Sequence, residues 1–326
     1  MAARKRAGRR TQKRSAVATL AMLVATLAFA ASGCHGGSGT DSPDRRGTPT
    51  GEPVPGSHIL AVKVDNVGPA RPQTGLDKAD IVYVEQVESG LSRILAVYSS
   101  QVPPVVGPVR SARETDLELL RQFDRPTLAF SGAQSKLLPL IETAPLNALP
   151  PAEAPAAYFR SRDRAAPHNL YLRPGRALRD TTGVNAAGYA GLSFGPPPPG
   201  GRPTATYSVR YPAARFGFTW SAGRHQWLLA MDGTPSRTAS GEQLGAATVI
   251  LQYVTVRPSG FHDRWGNNSP YTETVGSGAA LVLRDGAAYE ADWERDTADS
   301  GTAFTTPDGE PMPFAPGQIW IVYEAR

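Results

Sequence analysis

The segment Gly107-Pro-Val-Arg110-Ser-Ala-Arg113-Glu114 is where residue type and spacing most clearly suggest chemistry. Ser111 and Glu114 have the S-x-x-E spacing of a capping box. Leu117, Leu119, Leu120 and Phe123 recur at helical intervals, so a helix is expected over 111–123. In that register Arg113 is the second helical residue and Arg110 immediately precedes the cap. Cations there face the positive end of the helix dipole and cost roughly 0.3–1 kcal/mol each unless an anion joins them. Backbone N–H groups and two guanidinium forks would suit a phosphate or carboxylate. The alternative is internal pairing of Arg113 with Glu114, Asp116 or Glu85.

A second cationic stretch, Tyr158–Arg179, has six arginines against the single acid Asp163, with His168-Asn169 in its middle. It reads either as a solvated basic loop or as one wall of an anion pocket. The candidate ligand-binding residues are therefore Arg93, Arg110, Ser111, Arg113, Arg160, Arg162, Arg164, His168 and Asn169. For proton transfer the candidates are Glu85, Asp116 and His168, with Glu88 near the same strand end. One histidine with carboxylates fits hydrolysis or group transfer and equally fits a structural role. Metal-ligand spacings and a P-loop are absent, so no metal or cofactor is expected. His262-Asp263 stands outside any motif.

The chain opens with seven basic residues before Ser15, followed by an uncharged apolar run over 16–31, which together form a secretory signal. The run is shorter than the roughly 20 residues that span a bilayer. Ala31-Ser32-Gly33 then precedes Cys34, the only cysteine, an order that resembles a bacterial lipobox; Ala31 stands where such signals usually carry leucine. Cleavage would leave Cys34 lipidated and the protein outside the cytoplasm, on the outer face of the cell membrane. Losing seven of the 34 basic residues leaves 27 against 29 acidic ones, so the basic balance belongs to the discarded segment. Nucleic acid is not an expected partner.

Residues 35–58 are Gly, Pro, Ser and Thr with little to bury, and read as a tether. Four consecutive prolines within 194–203 suggest a stiff connector. The expected plan is a signal over 1–33, lipidated Cys34 and tether to 58, an α+β domain over 59–193, a linker over 194–203 and a β-rich domain over 204–326. In the first domain, strands are expected at 59–64, 81–84, 94–98 and 127–130, with a short helix at 134–138 stopped by Pro139. In the second, a mostly antiparallel set is expected at 207–211, 216–220, 226–230, 279–283 and 287–293. A central strand over 247–256 and a last strand over 319–323 complete it. All five tryptophans fall in this half, where core filling is the simpler role and ligand stacking the sharper one.

Longer strings carry a family likeness. NVGPARPQTGLDKADIVYVEQVESGLSRILAVYSS (66–100), VGPVRSARETDLEL (106–119) and RSRDRAAPHNLYL (160–172) resemble the YerB-like lipoproteins, and ATVILQYVTV (247–256) and FAPGQIWIVYE (314–324) resemble their C-terminal domain. The resemblance implies a two-domain bacterial surface lipoprotein of unknown function and brings no catalytic role with it. Together these readings give a lipid-anchored envelope protein that binds an anionic ligand, such as a wall polymer or a phosphate or pyrophosphate group. An envelope hydrolase or phosphotransferase and a purely structural or protein-docking lipoprotein are the alternatives. Cys34→Ser should abolish metabolic labelling with palmitate; labelling that persists in the variant would refute the lipid anchor.

Overall fold

Short β-branched and aromatic runs dominate the chain, and they become strands in a computed structural model that describes residues 59–178, 184–263 and 265–326. The expectations for residues 1–58, Cys34 included, and for Arg179 lie outside the described residues. The first half supplies β1 (Leu60–Asp65), β2 (Ile81–Gln86) and β3 (Ser92–Tyr98), followed by α1 (Glu114–Leu119) and β4 (Thr127–Ala129). Then come α2 (Leu138–Thr143), β5 (Asn147–Leu149), β6 (Tyr158–Arg160), β7 (Leu170–Leu172) and α3 (Ala186–Tyr189). β3 lies between β1 and β2 and is antiparallel to both, while β4 and β5 extend the edge in parallel.

The second half begins with β8 (Arg202–Pro203), then β9 (Thr206–Tyr211), β10 (Ala214–Ser221), β11 (Gln226–Met231), β12 (Thr234–Pro235) and β13 (Gly245–Ala246). β9 to β13 make a separate antiparallel sheet. β14 (Thr248–Val254), β17 (Gly276–Arg284), β18 (Ala287–Arg295), β19 (Ala303–Thr305) and β20 (Ile319–Ala325) join the large sheet. β15 (Val256–His262) and β16 (Asn268–Thr272) form a two-stranded sheet of their own. The β17–β18 turn is Asp285-Gly286, both with positive φ, as a two-residue hairpin of this twist requires.

The large sheet runs β19-β18-β17-β14-β20-β2-β3-β1-β4-β5, with β8 added beside β18. The last strand of the chain is therefore in its middle. β20 runs parallel to β14 on one side and to β2 on the other, with Ile319 opposite both Thr248 and Ile81. Both faces of this sheet are covered. One core gathers Val62, Val82, Ile94 and Trp320 against Phe216, Phe218 and Trp227 of the small sheet. The other gathers Tyr83, Leu95 and Ile321 against Leu119, Phe123 and Ile141.

Several expectations need correction. Helices are few and short, so the α+β description holds only in part; the chain is strand-rich with mixed sheets. The second half is mostly antiparallel as expected, but β20 pairs in parallel with β14 and with β2 of the first half. The helix expected from Ser111 starts at Glu114, with Arg113 as its N-cap, and tightens into a 3-10 turn over Leu120–Phe123. Pro139 opens α2 instead of ending a helix, since the first turn has no use for its missing N–H. Most important, the halves share the large sheet and both cores. Each core draws on both, and the proline connector is docked: Phe194 bridges to Phe314, and Arg202 and Pro203 pair with β18. Cutting the chain at 204 would leave one edge of β20 unpaired and remove the first half's share of both cores. An isolated 204–326 fragment should therefore lack the cooperative thermal transition of the full chain by circular dichroism; a fragment that melts cooperatively as a monomer would contradict this.

Candidate functional site

Strand alternation builds the floor of the site. In β1, Leu60, Val62 and Val64 face one core, so Ala61, Lys63 and Asp65 face the other. Glu85 continues that second face after Ile81 and Tyr83 in β2, and Arg93 continues it beyond Val97 and Leu95 in β3. Register sets Arg93 opposite both Asp65 and Glu85. A charged row thus ends an apolar face, against the start of α1.

Lys63 is fully buried and donates to Glu85 and, at 2.7 Å, to Asp116 Oδ1. Asp116 Oδ2 accepts the Arg113 backbone N–H at 2.7 Å and so caps α1. Burial pushes the Glu85 carboxyl up to about 7; the Lys63 charge pulls it down and Asp116 pushes it up further. Glu85 and Asp116 are thus closed inside a three-member ion cluster, which places two of the three proton-transfer candidates away from solvent.

The second cluster centres on buried Asp65. Its Oδ2 lies 2.8 Å from His168 Nδ1 and 3.0 Å from Arg110 Nε, and its Oδ1 lies 3.9 Å from Arg93 Nε. Arg93 is itself buried, and among the described residues its Nε and Nη1 have no hydrogen-bond partner. Burial, then repulsion by Arg113 and Arg110, lower its guanidinium to about 10, so it stays charged at neutral pH. Arg113 is held differently. Its Nη2 donates to Glu88 Oε2 at 2.7 Å and its Nε lies 2.7 Å from Oε1. Burial alone would raise Glu88, but the hydrogen bonds and charge of Arg113 and the Ser269 hydroxyl outweigh it and hold it below its ordinary value.

Backbone contacts fix these groups. The Arg110 N–H donates to Lys63 O at 2.8 Å, and its carbonyl accepts from Ser131 at 2.9 Å. Gly107 lets this segment pass against β7, for a Cβ there would lie 2.8 Å from the Tyr171 ring and 3.0 Å from Leu170 O. Asn169 holds the preceding loop by donating to the Ser161 and Arg164 carbonyls at 3.0 and 3.1 Å, while Arg160 donates to its side-chain oxygen at 2.7 Å. Arg164 donates to the Ala70 carbonyl and, at 2.7 Å, to that of Pro72. The loop thereby sets His168 against Asp65.

Above the row lies a cleft of about 770 Å³ with walls from both halves. Arg110, Ser111, Arg113 and Glu114 come from the first half; Phe261, Trp265 and Ser269 come from the β15–β16 hairpin and its turn. That hairpin is clamped to α1: the Thr272 N–H donates to Thr115 Oγ1 at 3.0 Å and Tyr271 OH donates to Glu118 at 2.6 Å. Of the residues expected at a site, the cleft takes Arg110, Ser111 and Arg113. Arg93 and His168 share Asp65 with Arg110, just behind it. Arg160, Arg162 and Arg164 do not line it: the first and last hold loop backbone, and Arg162 is exposed. Sequence reasoning missed Lys63 and Asp65, although two charges alternating within LAVKVD were a usable signal. It also set aside His262-Asp263, which the hairpin brings into the cleft wall. Trp227, Trp293 and Trp320 fill cores, Trp220 packs beside one, and Trp265 is 71 % exposed.

Two stability effects follow. Arg113→Ala strands a buried carboxylate at Glu88 and should cost about 3–5 kcal/mol by denaturant unfolding, in contrast to the small cost expected of a free helix-end cation. Glu85 has a folded pKa above its ordinary value of 4.5, so between about pH 4.5 and 7 the folded state binds more protons than the unfolded one. Its contribution to stability must fall as pH rises through that window and level off above it. Glu85→Gln should flatten that part of the stability–pH curve; an unchanged slope would assign it to other groups.

No described helix is long and apolar enough to cross a membrane. Residues 47–188 match the Protein of unknown function (DUF3048) N-terminal domain and residues 207–321 its C-terminal domain. The chain is 28% identical over 294 residues to "Putative lipoprotein YerB" of Bacillus subtilis (strain 168), covering 84% of this chain and 83% of that protein. A crystal structure of YerB protein from Bacillus subtilis superposes with a TM-score of 0.67 at 23% identity, over 82% of this chain and 90% of that one, a likeness of fold. With both domains matched in order, the chain belongs to the YerB-like family of two-domain proteins of unknown function.

Proposed function

We propose that this protein is a surface lipoprotein, anchored through Cys34 outside the cytoplasm, whose cleft binds the anionic group of an envelope ligand. The observation that carries this reading is the surplus of guanidinium donors behind and along the cleft. Among the described residues Arg93, Arg110 and Arg113 have only Asp65 and Glu88 as carboxylate partners, and Arg93 keeps two N–H groups unfilled. A buried guanidinium that repels its neighbours and lacks acceptors is costly in isolation, and an oxyanion would relieve both penalties. Arg110 and Arg93 are the recognising cations in this reading, and Arg113 is a fixed part of the wall because Glu88 already engages it. Wall polymer, a phosphate or a pyrophosphate would each supply such an anion.

A second reading, an envelope hydrolase or phosphotransferase, draws support from His168. A buried carboxylate against Nδ1 orients an imidazole and leaves Nε2 to exchange a proton with a ligand. The same titration tests both. Pyrophosphate should raise the melting temperature of the full-length protein, by up to about 2.7 kcal/mol of added stability at a hundredfold excess over Kd. Arg110→Ala should weaken binding by roughly 1.5–3 kcal/mol, the size of a charge-assisted contact. No thermal shift with pyrophosphate or phosphate, or an undiminished one in Arg110→Ala, would overturn the anion site. Release of phosphate during the titration, lost in His168→Ala, would move the assignment to the enzyme.

A further inference from the structure

The cleft is not uniformly cationic. Arg110 and Arg113 line it together with Glu114, the first residue of α1. The other carboxylates of the lining are engaged. Glu88 pairs with Arg113, and Asp263 accepts the backbone N–H groups of Trp265 and Asn267 at 2.8 and 2.9 Å within its own turn. Glu114 differs: it is partly buried, and its Oε2 is shut off from solvent with no hydrogen-bond partner among the described residues. Burial raises the pKa of this carboxyl, Arg257 lowers it and Glu118 raises it again. Arg257 itself is held elsewhere, its Nε donating to Glu273 Oε1 at 2.8 Å and its guanidinium lying 4.3 Å over the Tyr271 ring. A desolvated acceptor without a donor is costly, and a cation brought beside it relieves that cost. Among the described residues no group of three His, Cys, Asp or Glu could hold a metal ion, so an ammonium carried by the ligand fits this carboxylate better than a bound metal.

The two poles are near each other. Arg110 and Glu114 are four residues apart, so their Cα atoms lie within about 14 Å. Resting on the anion reading, we infer that the ligand is a zwitterionic phosphate ester, with its phosphate on Arg110 and a primary ammonium on Glu114. A purely anionic ligand would bring its charge toward Glu114 with nothing to offset the repulsion. A purely cationic one, such as a basic peptide, would meet Arg93, Arg110 and Arg113. A short ester carrying both charges offsets the open carboxylate and the surplus guanidinium groups at once, and a cleft of about 770 Å³ has room for it.

The test is calorimetric titration of the full-length protein at neutral pH with aminoethyl phosphate, aminopropyl phosphate and ethyl phosphate, the last having the phosphate without the amine. At least one amino ester should bind about fivefold more tightly than ethyl phosphate, the size of a partly exposed ion pair. Glu114→Gln should erase that advantage. Ethyl phosphate should bind the variant no more weakly than the parent, because a negative charge has left the cleft. Gln keeps the shape of Glu, and a melting curve confirms that the variant folds. Competition by phosphatidylethanolamine vesicles for the bound amino ester would identify a lipid headgroup as the source of this chemistry, and its absence a soluble or wall-borne ester. Equal affinities for all three esters, or a Glu114→Gln variant that keeps the advantage, would overturn the zwitterion inference while leaving the anion site standing. Failure of every ester to bind would overturn the two together.

Discussion

Everything in this molecule depends on where its last strand goes. β20 is hydrogen-bonded on both edges, to β14 from the second half and to β2 from the first. Its side chains feed both cores, Trp320 and Val322 on one face and Ile319, Ile321 and Tyr323 on the other. A parallel strand buried on two faces cannot exist without neighbours, because unpaired backbone groups in a dry core cost about as much as lost hydrogen bonds. The two halves are therefore distinct as matched domains and joined in one sheet with shared cores. The large sheet closes only when the final residues of the chain are in place.

That arrangement explains how so much charge comes to be buried. The face of β1, β2 and β3 that turns apolar toward β20 ends in Lys63, Asp65, Glu85 and Arg93, where α1 and the β15–β16 hairpin cover it. Desolvating such groups costs several kcal/mol each unless they are paired. Two solutions appear side by side. Lys63, Glu85 and Asp116 form a closed set with its donors and acceptors engaged, and that set fixes the start of α1. Asp65 with Arg93, Arg110 and His168 is open, with more cationic donors than acceptors. The closed set is architecture, and the proposed anion site rests on the open one.

The hairpin β15–β16 then acts as a tie between the halves. Ser269 reaches Glu88, Thr272 reaches Thr115, and Tyr271 reaches Glu118, so the second half orders the helix that carries the arginines of the first. Arg295 completes the hold from beneath, donating to the Glu118 and Ala298 carbonyls at 3.1 and 2.6 Å. The cleft accordingly takes one wall from each half.

Local pattern alone determined much of this protein. Period-two alternation and turn residues located β1 to β4, β9 to β11, β17, β18 and β20, because those signals act over a few residues and need no partner. Residue type alone marked Arg110 and Arg113 as unusual. What sequence could not reach was pairing across distance. Ser111 has the spacing of a cap, yet Arg113 takes the place because Asp116 is fixed by Lys63, 53 residues away. The loop arginines looked like a pocket wall, yet Arg160 and Arg164 spend their donors on an amide oxygen and on backbone carbonyls. Four prolines fall between the two matched domains, yet nothing in them foretells that β20 joins both in one sheet. In each case a long-range contact outweighed a local preference of roughly 1 kcal/mol, and only the tertiary structure decides which contacts exist.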